Sequence, residues 1–170
     1  MNLRETILAE HSKANCTWIV KWIGNNQKRF DELVQLFLQD EYIVVQRAGW
    51  PLSEVVIKYP QLVQPHLRKI LAYINKPGLH GAVKRNTVRL LQAITIPKKN
   101  HGKVMTLCFE YLLSPDEEIA VKAFSLTVLN NLSILYPEIK QELKTIIEDR
   151  WEFETAAFHS RAKKILKEIG

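Results

Sequence analysis

Val121-Lys122-Ala123-Phe124-Ser125-Leu126-Thr127-Val128-Leu129-Asn130-Asn131-Leu132 decides the fold, because the chain writes it more than once. Val83-Lys84-Arg85-Asn86-Thr87-Val88-Arg89-Leu90-Leu91-Gln92-Ala93-Ile94 is an earlier copy. Val45-Gln46-Arg47-Ala48-Gly49-Trp50-Pro51-Leu52-Ser53-Glu54-Val55-Val56 is an earlier one still, and the three begin 38 residues apart. A weaker fourth copy begins at Phe158, 37 residues on. Each is apolar at or near steps 0, 7 and 11 and polar or charged at step 1, the pattern of a helix with one buried face. A fixed period of this size marks an array of stacked two-helix units, not a chain closed around a single core.

The residues outside the copies fit that array. Tyr59-Pro60, Ile96-Pro97 and Tyr136-Pro137 fall 14, 13 and 15 residues after the start of their copies. Proline lacks the amide hydrogen and biases the residue before it away from helix, so each pair ends a motif helix. Ahead of the copies, Leu3, Ile7 and Leu8 predict a short first helix. Ser12 is the expected N-cap of a second, with Trp18, Ile19, Trp22 and Ile23 on its apolar side and Gly24 at its end. Phe30, Leu33, Val34, Phe37 and Leu38 predict the next. Leu62 to Ile74, Val104 to Leu112 and Ile139 to Ile147 supply the partners of the later copies. Lys76-Pro77-Gly78 reads as a turn. Ser114-Pro115-Asp116-Glu117 reads as a helix start with Ser114 as N-cap. Pro51, inside the first copy, predicts a kink near Arg47–Gly49. The second copy is expected to run from about His80 to Thr95. No segment alternates with period 2, so no strand is expected. The expectation is an all-α chain of about ten helices in five antiparallel pairs. It forms one domain over residues 1–170: an N-terminal cap over 1–26 and repeats over about 27–60, 61–97, 98–137 and 138–170.

Bulk composition narrows the chemistry. With 46% hydrophobic and 25% charged residues over 170, the chain has the makeup of a globular domain able to bury a core. No apolar run approaches 18 residues, so no membrane span is expected. Met1-Asn2-Leu3-Arg4-Glu5-Thr6 lacks the apolar stretch of a signal peptide, and the expected compartment is the cytoplasm. Cys16 and Cys108 have no metal or redox spacing and are expected to be buried thiols. The five histidines make no metal-binding pattern, and no cofactor is expected. No Gly-x-Ser-x-Gly and no phosphate-cradling glycine loop occurs. The net charge of +6 is unevenly spread. Residues 41–100 carry ten basic side chains against two acidic ones, which can mark an anionic partner or a solvated face.

A two-helix unit of about 40 residues, whose second helix opens with Val followed by Lys or Arg, resembles the HEAT repeat. Asp40 before Arg47, and Asp116 before Lys122, resemble the HEAT pattern in which a turn Asp and a basic residue build a ladder between repeats. Gly78 stands where the second copy should have that Asp. The resemblance covers roughly residues 27–170. It implies a right-handed α–α superhelix, a HEAT-like solenoid with the second helices on its concave side. Ala120-Val121-Lys122-Ala123-Phe124-Ser125 and the stretch Ala156 to Ile169 are similar to small bacterial HEAT-like proteins of unestablished function. Some of these carry the name adenylosuccinate lyase. The lyases of that name are longer and have a Ser- and Gly-rich signature loop that is not found here, so that activity is not expected.

Steps 2, 6, 9 and 13 of each copy form a second face. In the first copy these are Arg47, Pro51, Glu54 and Lys58. In the second they are Arg85, Arg89, Gln92 and Ile96; in the third, Ala123, Thr127, Asn130 and Ile134. Ser160, Lys164 and Lys167 follow in the last. Stacking would align them into one surface, the place where solenoids bind partners. Arg47, Lys58, Arg85, Arg89, Gln92, Asn130 and Lys164 are the candidate partner- or anion-binding residues, and Trp50 is the aromatic candidate. The arginines have a purely structural alternative, pairing with acids between repeats, such as Arg47 with Asp40. The expected function is a non-catalytic binding or scaffold module facing a protein partner, acting as a monomer or weak dimer. Nucleic-acid backbone binding through the basic middle is the alternative, and an enzyme with a site assembled across repeats is the third reading.

Overall fold

The computed structural model describes residues 1–170 and contains ten α-helices and no strand. They are α1 (Leu3–Ala9), α2 (Lys13–Ile23), α3 (Gln27–Gln39), α4 (Tyr42–Lys58), α5 (Leu67–Tyr73), α6 (Gly81–Leu91), α7 (His101–Leu113), α8 (Ile119–Ser133), α9 (Ile139–Arg150) and α10 (Ala156–Ile169). Taken two at a time they are five successive pairs, and the motif copies lie in α4, α6, α8 and α10. The fold is an all-α, HEAT-like helical solenoid.

The caps explain the boundaries. Asn2, Ser12, Asn26 and Thr155 each accept a hydrogen bond from the backbone N–H three residues on, satisfying a donor that the first turn leaves without a partner. His80 does the same for α6, its Nδ1 accepting from the Ala82 N–H at 3.0 Å. Gly24 ends α2 at φ 53°, a conformation that costs other residues a Cβ clash. α4 continues through Pro51 to Lys58, although Pro51 offers no N–H to the Arg47 carbonyl. Pro60–His66 winds as a 3-10 segment before α5, where the sequence suggested one longer helix. Two further boundaries move. α6 stops at Leu91, short of Thr95, and Glu118 rather than Ser114 precedes the first turn of α8.

Packing divides the chain into two compact units, Met1–Ile94 and Thr95–Gly170. In the first, α4 is the central element and packs against α1, α2, α3 and α6. That explains its makeup, with Val44, Ala48, Leu52, Val55 and Val56 completely buried. Gly49 is part of the α4–α6 contact. A Cβ there would lie 3.1 Å from Asn86 Nδ2, so the missing side chain sets how closely the two helices approach. In the second unit α8 plays the central part, against α7, α9 and α10. Its buried set includes Val121, Leu126, Val128 and Leu129.

Polar ties between neighbouring pairs recur at one sequence separation. Arg4 bonds Asp40, His66 bonds Asp31, Arg161 bonds Thr127 and Asn130 bonds Glu168. The partners stand 34 to 38 residues apart, which is the repeat length read from the sequence.

Candidate functional site

The face predicted from steps 2, 6, 9 and 13 opens, in the first unit, onto two adjoining clefts between α2 and α4. One, of about 120 Å³, is lined by Lys13, Cys16, Thr17 and Val20 of α2 and by Trp50, Glu54 and Lys58 of α4. Beside it is a narrower one, where Arg47, Trp50 and Pro51 meet His11, Asn15 and Cys16. Trp50 lines both. Its indole N–H donates to Glu54 Oε1 at 3.3 Å, one helical turn on, and His11 meets its ring edge-on at 5.8 Å. These bonds hold the indole against the helix while leaving it half-buried at the mouth of both clefts.

The arginines of this face have partners inside the protein. Arg89, on α6, donates to the same Glu54 Oε1 at 2.8 Å and to the Ser53 hydroxyl at 3.0 Å. Ser53 donates to the Trp50 carbonyl at 2.9 Å, and its oxygen lies 3.2 Å from Asn86 Oδ1. Asn86 in turn donates to the Ala82 carbonyl at 2.9 Å. This polar chain sits where Gly49 lets α4 and α6 approach, and it fixes Glu54 between two donors. Arg47 donates to the Leu8 carbonyl at 2.8 Å. Leu8 lies in the last turn of α1, where carbonyls lack helical partners and a cation is favoured. The sequence offered Asp40 as the partner of Arg47. Asp40 instead binds Arg4 at 2.9 Å, which holds the Asp40 carboxyl below its usual range. The turn-Asp ladder is replaced likewise at Lys122, whose buried ammonium pairs with Glu154 at 2.8 Å.

Trp50, Arg47, Lys58 and Arg89 are therefore grouped around Glu54 and the α2–α4 clefts. Arg85 and Gln92 lie half-buried on or at the end of α6, with Gln92 donating to the Arg89 carbonyl at 3.3 Å. Ile96 does not lie on an open face: it is buried, because α6 has ended five residues earlier and helical spacing no longer applies. Ala123 is buried too, in a helix packed on three sides. In the second unit Asn130 donates to Glu168 at 2.6 Å, and Lys164 is exposed on α10. Helical spacing alone could not indicate Lys13 and Thr17, which join the site from another helix.

Burial pushes the Cys16 thiol up to about 12, which keeps it protonated and a poor nucleophile. No group of three or more His, Cys, Asp or Glu side chains is arranged to hold a metal ion. What the larger cleft offers is an indole face, the Thr17 hydroxyl, and the ammonium groups of Lys13 and Lys58. No helix is long and apolar enough to cross a membrane.

Comparison with known proteins found no match among curated proteins and none among solved structures. The family model of the HEAT repeat domain matches residues 3–169, including the first pair of helices. Over that length, with its repeat period, its five helix pairs and its ties one repeat apart, the chain belongs to the HEAT repeat family.

Proposed function

We propose that this protein is a non-catalytic binding module that presents the α2–α4 face to a protein partner. HEAT repeats generally serve as scaffolds for protein–protein interaction, and stacked repeats provide extended surfaces for it. The observation that carries the proposal is Trp50. A large aromatic side chain, fixed by Glu54 and shared by two clefts, is the kind of anchor that dominates protein interfaces. Lys13 and Lys58 at the rim fit an acidic or carbonyl-rich segment. Nucleic-acid binding needs cations free to neutralise phosphates. Arg89 is neutralised by Glu54, and Arg47 gives one of its N–H groups to the Leu8 carbonyl, which favours the protein reading.

The test uses immobilised wild-type protein and a Lys13→Glu/Lys58→Glu variant, both positions being exposed. A protein retained from the native host by the wild type is identified and its affinity measured against both. The expected result is a loss of at least about tenfold in the variant. In parallel, labelled duplex DNA and RNA are titrated at low and high salt. Equal affinity of wild type and variant for the partner overturns the proposal. So does micromolar, steeply salt-dependent nucleic-acid binding that Arg85→Glu abolishes.

A further inference from the structure

The second unit carries a surface of the opposite charge. An open cleft of about 480 Å³ is lined by Glu148 and Asp149 at the end of α9, Trp151 and Glu152 just beyond it, and Leu166 on α10. Trp151 stacks on His159 with ring centres 4.2 Å apart and 12° between planes, so its indole is held flat along α10. His159 is itself fixed, its Nε2 donating to the Trp151 carbonyl at 2.7 Å. Phe153, which follows Glu152 in the chain, is 78% exposed, an uncommon state for so large an apolar side chain.

Two facts indicate what this surface would take. Glu148, Asp149 and Glu152 are exposed, and the nearby Arg150 is already committed, bonding Glu154 at 2.7 Å and the Leu113 carbonyl at 3.3 Å. Lys163 holds its ammonium 6.0 Å from the centre of the Trp151 ring, so this indole already attracts a cation of the chain itself. A guest that combines cations for the three carboxylates with an apolar side chain for Trp151, Leu166 and Phe153 uses everything the surface offers.

We propose that the α9–α10 surface of Trp151, Phe153 and Leu166, rimmed by Glu148, Asp149 and Glu152, docks a basic segment of a partner protein that alternates cationic and apolar side chains. This is a second interface, independent of the α2–α4 face, and its partner has the opposite charge to the segment that Lys13 and Lys58 would take. A small polyamine would satisfy the carboxylates but leave Phe153 and Leu166 in water. The apolar side chains therefore select a peptide over a free cation. The rim charges steer the encounter and make it sensitive to salt, while the aromatic contacts supply affinity that salt leaves in place.

The probe is a short fluorescein-labelled peptide alternating arginine and leucine, titrated into the full chain at low and high salt. A peptide alternating arginine and serine, and spermidine as competitor, are the controls. The expected result is binding of the arginine–leucine peptide that drops by about tenfold or more in Glu148→Lys/Glu152→Lys. It also weakens several-fold in Phe153→Ser and is unchanged in Lys13→Glu/Lys58→Glu. All these positions are exposed, so the variants are expected to fold, which circular dichroism checks. No binding overturns the proposal, as does binding indifferent to the α9–α10 substitutions. Equal affinity for the serine peptide, or full displacement by spermidine at matched charge, overturns it in favour of a simple cation site.

Discussion

Glu154 shows how much can hang on one side chain. A single oxygen, Oε1, accepts from Lys122 Nζ at 2.8 Å and from Arg150 Nε at 2.7 Å, with both Lys122 and Glu154 almost wholly out of water. Removing one partner of a buried ion pair leaves an uncompensated charge, at a cost of about 3–5 kcal/mol. Glu154→Gln is expected to destabilise the protein by about that amount in urea or guanidinium unfolding, because it strands two cations. Lys122→Met replaces the ammonium with an apolar chain of similar length and is expected to cost clearly less, since Glu154 keeps Arg150. Equal losses would mean that the pair acts through packing and not through charge. The sequence singled out Lys122 as a step-1 residue and paired it with Asp116. Nothing in local spacing could point to Glu154, 32 residues away, which reaches Lys122 only after α8 and α10 have packed.

At the scale of the helix, α4 and α6 meet through small and polar groups. Gly49 faces Asn86, whose amide is already engaged by the Ala82 carbonyl. Gly49→Val would place a branched side chain where even a Cβ lies 3.1 Å from Asn86 Nδ2. Overpacking of this kind costs about 1–3 kcal/mol, and the valine gains little helix propensity over glycine to offset it. A lower midpoint in chemical unfolding, with loss of the Arg89–Glu54 pairing seen by NMR of the side chains, is the expected outcome. The existence and order of the helices were legible, because apolar periodicity and proline joints are local signals. The ends were less so. α6 stops at Leu91 although the apolar pattern continues, and Ile96 is buried by the loop that follows. The face formed by steps 2, 6, 9 and 13 was legible as geometry in the first copy, where Arg47, Pro51, Glu54 and Lys58 line the clefts. Its other wall was not, because Lys13, Cys16 and Thr17 come from the first helix pair, which the sequence marked only as a cap. Whether the arginines were free was equally hidden. Arg47 is held by a backbone carbonyl, which has no sequence signature.

Across the whole molecule, charge is distributed unequally. The first unit carries thirteen basic and seven acidic side chains, and the second carries eleven of each. Two carboxyls of the first unit titrate below the usual carboxylate range. Asp40 is lowered mainly by its bond to Arg4, and Asp31 mainly by Gln27 and then by His66. A carboxyl whose folded value is depressed binds fewer protons in the folded state than in the unfolded chain. Its contribution is complete above about pH 4, where the unfolded carboxyl is ionised, and is lost as the pH falls through the depressed value. Acid unfolding followed by circular dichroism is expected to show this loss. Arg4→Gln should flatten the acid limb by returning Asp40 toward its ordinary value. An acid limb unchanged by that substitution would assign the loss to other carboxyls. The same asymmetry separates the two proposed surfaces: an indole flanked by amines in the first unit, and an indole flanked by carboxylates in the second.

The ties between neighbouring pairs span 32 to 39 residues wherever in the chain they occur. Each closes a loop of nearly constant length, so the entropy lost on closing it does not grow along the chain. Under tension the same spacing sets the size of each yielding step. A repeat that lets go of its neighbour releases about 38 residues, or roughly 130 Å of extended chain, while the remaining pairs keep their own ties. Pulled from its ends, the molecule would lengthen as a staircase whose tread is the repeat.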